Sequence, residues 1–271
     1  MGLKINLTNI QNVAPGNTAT LKVPVGPSAP TLDKLLLTLS GGLLVSHIES
    51  IKGKANGRLF YDEALGGSQV NLREAYKGIF NSTTVLPIDF TESKARNGAV
   101  EQLMASVPLS LLQDLTFEFK LASGAPAGSK IEVQAIVRQP TQNPWILKFL
   151  NTTQSFAASG QQIVYLPTGG AGGKFKRIWI KEGTAGTIDK VELRMGNTTM
   201  YETSRATLEH EQKRNGLTPQ TGVVCLDFVE DGNLSGVLDT KQASQVELRV
   251  NSSAANNYTI EYEFVDPIGN L

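Results

Sequence analysis

The chain has 271 residues, which is enough for one large domain or for two ordinary ones. Its 25 Lys and Arg balance its 25 Asp and Glu, so the formal net charge is zero. Direct binding of nucleic acid depends on a surplus of basic side chains, and it is therefore not expected. The N-terminus is too polar for a signal peptide, and no apolar run approaches the roughly 20 residues of a membrane span, so we expect synthesis in a cytoplasm.

Short runs that alternate β-branched or apolar residues with polar ones, separated by Gly, Pro, Asn and Ser, predict an all-β fold. In the first half, strands are predicted at 18–25, 32–39, 46–53, 57–62, 84–91, 100–107, 115–122 and 130–138. In the second half, they are predicted at 161–166, 174–181, 187–195, 198–202, 221–229, 232–238, 244–250 and 258–265. Eight antiparallel strands in each half indicate two tandem jelly rolls, a double jelly roll.

The chain also repeats itself in the same order along most of its length. Three pairs of similar segments carry the repeat: Gly57–Asp62 with Gly196–Glu202, Leu86–Phe90 with Cys225–Phe228, and Ser129–Val133 with Tyr258–Tyr262. The spacing within the pairs drifts, as expected if loops gained or lost residues between fixed strands. A tandem duplication of one β-domain is the simplest explanation.

Each half contains one predicted helix between its fourth and fifth strands. These helices, Ser68–Lys77 and Ser204–Arg214, each open on a possible Ser cap and stop at Gly78 and Gly216. The duplication therefore includes a helix in the same place.

The stretch 139–160 has no counterpart elsewhere in the chain. Within it, Asn143–Leu150 offers an Asn cap and a Pro at the first helical position, which predicts a short helix. We therefore predict a first jelly roll with an N-terminal arm over 1–138, a linker with a short helix over 139–160 and a second jelly roll over 161–271.

Short motifs in a consistent order carry a family likeness over nearly the full length. They are Asn6-Leu7, Asn12–Asn17, Leu21–Gly26, Leu39–Gly41, Asn56–Leu59, Pro144-Trp145, Tyr165–Pro167, Ile178–Lys181, Asp227-Phe228 and Ile260–Tyr262. In this order they resemble the major capsid proteins of corticoviruses, icosahedral bacteriophages with an internal membrane. The segment Thr91–Val100 and the Gly-rich turn at Gly169 depart from the family pattern, and both departures concern surface loops.

The resemblance implies a double jelly roll that forms homotrimers, so that three chains with two barrels each make one pseudo-hexagonal capsomer of an icosahedral shell. It places the chain in the same broad lineage as the coat proteins of tectiviruses and adenoviruses. It also implies a location in the virion, with neighbouring capsomers, minor capsid or vertex proteins and an internal viral membrane as expected partners.

Two segments are candidates for contacts within such a shell. The first half is longer than the second between equivalent strands, and the surplus at Glu92–Leu112 is either an intersubunit elaboration or an ordinary long loop. The segment Met1–Ile10 precedes the first predicted strand. We expect it either to reach a neighbouring subunit or the inner face of the shell, or to pair within its own unit.

No motif favours catalysis, and we predict that the protein is not an enzyme. Gly169–Lys174 lacks the Ser or Thr and the following helix of a phosphate-binding loop. His47, predicted in a strand, and His210, predicted in a helix, have no zinc spacing partner. Cys225 lies in an apolar run and is expected to be a buried, inert thiol, and no nucleophile elbow is present.

One acidic loop is a candidate calcium site, and no other cofactor is expected. Glu230, Asp231 and Asn233 place three oxygen-bearing side chains around a glycine, but not with the spacing of an EF-hand, and a plain β-turn is the alternative. Asp89 and Asp227, at equivalent positions of the two halves, are interpreted as a sign of common descent rather than as a shared site.

Two other functions stay open at this point. A carbohydrate-binding pair of jelly rolls is the main alternative, because this fold hosts many unrelated activities. Such sites usually present aromatic side chains on loops, whereas Trp145 and Trp179 are predicted in a helix and a strand. A double-barrelled enzyme of the glycoamidase type would need acidic side chains that converge in a groove, which a sequence cannot show.

Overall fold

The computed structural model describes residues 2–92, 106–141, 144–168 and 173–271. The chain divides into two compact units, each of which is a sandwich of two largely antiparallel sheets. The first unit comprises Met1–Ala75, Ile79–Phe149 and Pro267–Leu271, and the second comprises Tyr76–Gly78 and Leu150–Asp266.

The first unit has one sheet of strand order β1-β10-β4-β7 and a second of order β2-β3-β9-β5-β6, with the short β8 added to β4. The helix α1 (Gly66–Tyr76) connects β6 to β7. The strands are β1 (Leu3–Leu7), β2 (Ile10–Gln11), β3 (Thr18–Lys22), β4 (Thr31–Ser40), β5 (Ile48–Ala55), β6 (Arg58–Glu63), β7 (Val85–Asp89), β8 (Val107–Pro108), β9 (Leu115–Leu121) and β10 (Lys130–Arg138).

The second unit has one sheet of order β11-β19-β13-β16, with the short β17 added to β13, and a second of order β12-β18-β14-β15. The helix α2 (Arg205–Arg214) connects β15 to β16. The strands are β11 (Trp145–Phe156), β12 (Gly160–Leu166), β13 (Lys174–Glu182), β14 (Ile188–Met195), β15 (Thr198–Ser204), β16 (Val223–Asp227), β17 (Leu238–Asp239), β18 (Val246–Ser252) and β19 (Asn256–Pro267).

The two units have the same strand order. The strand β1 corresponds to β11, β3 to β12 and β4 to β13. With these matches, every other strand of the two four-stranded sheets, and the helix, also has a counterpart at the same place in the other unit. Both units also carry a β-bulge at the same place, at Asp33 in β4 and at Lys176 in β13. Two four-stranded sheets in this order form a jelly roll, so the predicted double jelly roll with a helix in each unit is confirmed. The three repeated sequence segments lie on equivalent strands or strand ends.

Alternation along the strands builds the core of each sandwich. In β9 the residues Leu115, Phe117, Phe119 and Leu121 are buried, and the polar residues between them are half-buried on the other side. The core of the second unit is formed in the same way by β13, β16, β18 and β19. Complete burial of each such side chain stabilises the fold by roughly 1.5–3 kcal/mol.

The predicted linker helix is wrong. Residues 145–156 form the strand β11, whose Phe149 pairs in parallel with Tyr61 of β6, while later residues of the strand belong to the second unit. A proline also fits the position before a strand, and a short apolar run does not by itself distinguish helix from strand. Asn143, the predicted cap, lies outside the described residues.

Three further expectations concern the N-terminal segment, residues 232–238 and the region 92–112. The segment Leu3–Leu7 pairs with β10 in its own unit and is the first strand of the jelly roll, so pairing within the unit is the correct one of the two alternatives that the sequence left open. Residues 232–238 contain the 3-10 turn Leu234–Gly236 rather than a full strand. Of the predicted strand 100–107 and the surplus Glu92–Leu112, residues 93–105 lie outside the described part.

The caps of the helices follow the sequence in part. The Ser204 side chain accepts a hydrogen bond from the Thr207 N–H at 3.2 Å and caps α2 as predicted. Helix α1 begins at Gly66, so Ser68 is not its cap. Gly78 and Gly216 have φ of 65° and 74°, the left-handed conformation that glycine adopts at helix C-termini.

Candidate assembly surface

The register of the strands defines six equivalent positions on the side of one sheet that faces away from the core in each unit. Lys34 lies opposite Asp89 and Ile136, just as Arg177 lies opposite Asp227 and Glu263, and the next positions out from these match in the same way. We call the first set the first outer face: Lys34, Leu36, Pro87, Asp89, Gln134 and Ile136. We call the second set the second outer face: Arg177, Trp179, Cys225, Asp227, Glu261 and Glu263.

The two outer faces differ sharply in burial. All six residues of the second outer face are buried, and Asp227, the most exposed of them, keeps only 6 % of its surface accessible. All six residues of the first outer face are half-buried. The same side of the same fold is therefore covered in one unit and accessible in the other.

The second outer face is held by a network of buried charges. Arg177 donates to Asp227 Oδ2 from Nε at 2.8 Å and to Glu263 Oε2 from a terminal nitrogen at 3.2 Å. Trp179 Nε1 donates to Glu263 Oε1 at 3.1 Å, and Lys176 Nζ lies 3.5 Å from Glu263 Oε2. The buried carboxylates of Asp227 and Glu263 are tolerated because each is paired and hydrogen-bonded in this way.

Tyr76 completes this network within the second unit. Its ring meets the ring of Trp179 edge-to-face at a centroid distance of 4.9 Å, and its hydroxyl donates to Asp227 Oδ2 at 3.3 Å. Burial, followed by the nearby Cys225 and Asp227, raises the pKa of Tyr76. Burial, followed by Asp227, also raises the pKa of Cys225 well above its usual range. The phenol and the thiol are therefore neutral groups at neutral pH, in keeping with the inert Cys225 that the sequence predicts.

The first outer face is simpler and more apolar. Lys34 Nζ lies 2.7 Å from Asp89 Oδ2, while Asp89 Oδ1 accepts the Thr91 N–H at 3.0 Å. Around this pair, Leu36, Pro87 and Ile136 present apolar surface at the positions where the second outer face has Trp179, Cys225 and Glu263. The sequence does not distinguish the two faces, because the residues of both alternate with core residues at every second position along the strands.

The candidate calcium residues lie in a turn that uses their side chains internally. Asp231 Oδ1 accepts the Asn233 N–H at 2.9 Å, and Asn233 Oδ1 accepts the N–H and hydroxyl of Ser235 at 3.0 and 2.8 Å. Burial, followed by Asp227, Glu211 and Asp231, raises the pKa of Glu230. Over the described ranges, no group of three or more His, Cys, Asp or Glu side chains is arranged to hold a metal ion.

The remaining predicted residues lie apart from one another. His47 is in a 3-10 turn, not in a strand, and its Nδ1 accepts the Leu44 N–H at 3.0 Å, while His210 is exposed on α2. Most of the Gly169–Lys174 loop lies outside the described residues. In the part of the chain that the structure covers, no helix has the length and apolar character needed to cross a bilayer.

The two tryptophans bear on carbohydrate binding. Trp179 is on a strand as predicted, but it is fully buried, so its ring cannot serve as an exposed sugar-binding surface. Trp145 is half-buried at the start of β11, in a strand and not in the predicted helix. Neither ring lies on a loop.

Solved structures share this fold over almost the whole chain. The crystal structure of the major capsid protein P2 from bacteriophage PM2 matches with a TM-score of 0.87 at 21 % identity, covering 98 % of both chains. The STIV MCP matches with a TM-score of 0.71 at 14 % identity, covering 98 % of this chain and 97 % of that one. The PBCV-1 virus capsid matches with a TM-score of 0.61 at 11 % identity, covering 98 % and 94 %.

The sequence comparisons lead to the same group of proteins. The chain is 23 % identical over 270 residues to the major capsid protein P2 of Pseudoalteromonas phage PM2, covering 96 % of each. The family model described as viral coat protein P2 N-terminal domain matches residues 4–139, and that of the P2 C-terminal domain matches residues 146–268. Because these two models follow one another over nearly the full length, the chain belongs to the P2 family of viral coat proteins.

Proposed function

We propose that this chain is the major capsid protein of an icosahedral virus and that three copies form one pseudo-hexagonal capsomer. The observation that carries the proposal is the match to both P2 coat-protein domains, in order, on a chain folded as two jelly rolls. Three chains with two similar units each supply six similar blocks, which is the number that a six-sided outline requires. The function is structural, and we propose no catalytic role.

Exposed apolar side chains on edge strands support assembly with other protein. The edge strand β1 exposes 64 % of Leu3 and 43 % of Ile5, and the edge strand β12 exposes 64 % of Tyr165 and 44 % of Ile163. Unpaired strand edges that carry large apolar side chains favour association with another chain. Such edges fit a protein that forms part of a shell. Its proposed partners are neighbouring capsomers, minor or vertex proteins and an internal membrane.

Light scattering coupled to size exclusion tests the trimer directly. A stable species at about three times the 29.2 kDa chain mass is the expected result, because coat-protein interfaces of this class bury large areas. The measurement is repeated with and without calcium, since the loop at Glu230, Asp231 and Asn233 remains a proposed calcium site. A monomer at every concentration and in both buffers would contradict the proposal and make carbohydrate binding the next hypothesis to test.

A further inference from the structure

The strands β6 and β15 occupy the same place in the two units, and their registers match residue by residue. Each carries a bulge one residue before a tyrosine. Phe60 is the extra residue before Tyr61, and Met200 is the extra residue before Tyr201. Tyr61 and Tyr201 are therefore equivalent residues, in agreement with the repeated sequence segments that contain them.

The two tyrosines pack in the same way inside their own sandwiches. The ring of Tyr61 meets that of Phe90 edge-to-face, with centroids 6.2 Å apart and an interplanar angle of 75°. The ring of Tyr201 meets that of Phe228 at 6.1 Å and 78°. Both phenylalanines directly follow the aspartates that end equivalent strands. The equivalence of β6 and β15 therefore extends from the backbone to the side chains.

The two strands differ in what lies at their outer edge. The strand β11 pairs in parallel with β6, and the Phe149 ring lies 5.2 Å from the Tyr61 ring, with both residues in the first compact unit. Tyr61 is only 5 % exposed, and Phe60 is fully buried. In contrast, β15 is the last strand of its sheet in the described part of the chain, Tyr201 is half-buried and Met200 is 44 % exposed. Within the described residues, β15 therefore lacks the strand that covers the equivalent edge of β6.

The strand β1 is a second open edge. It has the place in the first unit that β11 has in the second, and among the described strands it pairs only with β10. Leu3 and Ile5 lie opposite Val137 and Ala135, which are buried in the core. Directly opposite residues of antiparallel strands point to the same side of the sheet, so Leu3 and Ile5 are on the core side. They are nevertheless 64 % and 43 % exposed, which favours cover by another chain.

We infer that, in the proposed capsomer, β1 of one copy adds in parallel to the open edge of β15 of the next copy, as β11 adds to β6. The inference rests on the proposed trimer and names the strands that join its copies. Backbone hydrogen bonds then satisfy both open edges. The added strand covers Met200 and Tyr201 as β11 covers Tyr61.

The contact also explains a closed ring. The strands β1 and β15 belong to different units, so the contact is heterologous and each copy offers one of each edge. A two-fold dimer through β1 alone or through β15 alone would leave the other edge open. Heterologous contacts close into rings when the rotation permits, and a ring of three uses every β1 and every β15.

Cysteine cross-linking tests the contact. The double variant Ile5→Cys/Met200→Cys is treated with a bis-maleimide that spans roughly 10 Å, about two strand spacings. We expect covalent dimers and trimers on a denaturing gel, and monomers from each single variant. The matched control is Ile5→Cys/Ile163→Cys, because Ile163 is also 44 % exposed and lies on β12, at the other edge of the same sheet. The natural Cys225 is buried and does not interfere.

A charge change provides the second test. Met200→Glu should raise the concentration at which trimers dissociate by at least about tenfold, because it places a carboxylate against the added strand. Ile163→Glu should leave that concentration unchanged. Both side chains are exposed in the single chain, so neither change should alter its fold. Light scattering over a dilution series measures the dissociation.

The outcomes separate this inference from the proposed function. If the wild-type chain is trimeric but Ile5→Cys/Met200→Cys gives only monomers on the gel and Met200→Glu associates normally, the contact is wrong and the capsid proposal stands. Cross-links in the Ile163 control instead would also contradict the contact. If the wild-type chain is monomeric, both proposals are wrong. Cross-links confined to the Met200 pair, together with weakened association of Met200→Glu, support the contact.

Discussion

The segments Asp89–Glu92 and Asp227–Glu230 end equivalent strands, and their aspartates share two contacts. Oδ1 of each aspartate accepts the N–H two residues further on, at 3.0 Å from Thr91 in one unit and 3.0 Å from Val229 in the other. Oδ2 of each pairs with the cation directly across the neighbouring strand, at 2.7 and 2.8 Å. The duplication has preserved these two contacts, while each aspartate has a further hydroxyl donor of its own, Thr91 for Asp89 and Tyr76 for Asp227.

What differs is the surroundings of the two contacts. Arg177 is buried and has a second carboxylate partner, Glu263, whereas Lys34 keeps a quarter of its side chain accessible. Removing one partner of a buried ion pair leaves an uncompensated charge, but a pair near water loses little. Both aspartate side chains are buried, at 4 % and 0 % exposure, so the burial of the cation and its number of partners set the energetic importance of each pair.

The largest expected effect is at these aspartates themselves. Asp227→Asn should lower the free energy of unfolding by about 3 kcal/mol, and Asp89→Asn by about 1 kcal/mol or less, because only the first leaves a buried arginine short of a partner. Urea unfolding of both variants at pH 7 measures the difference. Equal losses would show that the surroundings do not matter as argued.

The last residues of the two helices differ in exposure: Tyr76 of α1 is 1 % exposed, whereas the Arg214 side chain of α2 is 67 % exposed. Tyr76→Ala should destabilise the dissociated chain by about 3 kcal/mol, since it empties a buried aromatic site, while Arg214→Ala should stay within about 0.5 kcal/mol. Urea unfolding, at protein concentrations too low for the chains to assemble, measures both losses. Tyr76→Phe, which removes only the hydroxyl bonded to Asp227, should cost about 1 kcal/mol. A large loss in Arg214→Ala would mean that this residue has a role within the chain.

Glu182 and Glu230 of the second unit show how burial and hydrogen bonds together make the stability depend on pH. Burial alone would raise the pKa of Glu182, but hydrogen bonds from the Gly186 and Ile188 N–H groups and from Arg205 outweigh it and lower that pKa below 4.5. A lowered folded-state pKa gives stability that is present above about pH 4.5 and lost as the pH falls further.

Glu182→Gln should therefore be less stable than the wild type at pH 7, by about 2 kcal/mol for the lost charge-assisted bonds. The gap should close as the pH falls below 4.5. Thermal unfolding between acidic and neutral pH measures it. A gap that does not change with pH would contradict the assignment.

The smallest effect is expected at Glu230, whose pKa is raised by burial and by Asp227, Glu211 and Asp231. Its ionised form is disfavoured in the folded chain, so Glu230→Gln should stabilise the protein at pH 7 by a few tenths of a kcal/mol. The gain should vanish at acidic pH. Thermal unfolding with added calcium extends the test, because a calcium shift equal in the wild type and Glu230→Gln would remove this loop as a calcium site.

Much of the fold could be predicted from local patterns. Alternation marked most strands to within a few residues, and the cap glycines at 78 and 216 marked the ends of both helices. The count of eight strands per unit was right for a partly wrong reason. In each half the first strand, β1 or β11, was missed. In the second half the segment 232–238, which contains a 3-10 turn, was counted instead, whereas most of the predicted strand 100–107 lies outside the described residues.

These misses have one physical cause. Strand β1 is short and exposed, and β11 begins with a proline and an apolar run that also fit a helix. Both are strands because β10, β19 and β6 supply hydrogen-bond partners that lie far away in the sequence. No local pattern records such partners.

The amino-acid sequence by itself determined the duplication, the all-β class and the positions of the helices, because these depend on periodicity and on residues with special backbone preferences. Only the tertiary structure decided which equivalent residues are covered. Leu36 and Trp179 alternate with core residues in the same way, yet one is half-buried and the other is inaccessible. Burial depends on what packs against a face, and that partner is distant in the sequence.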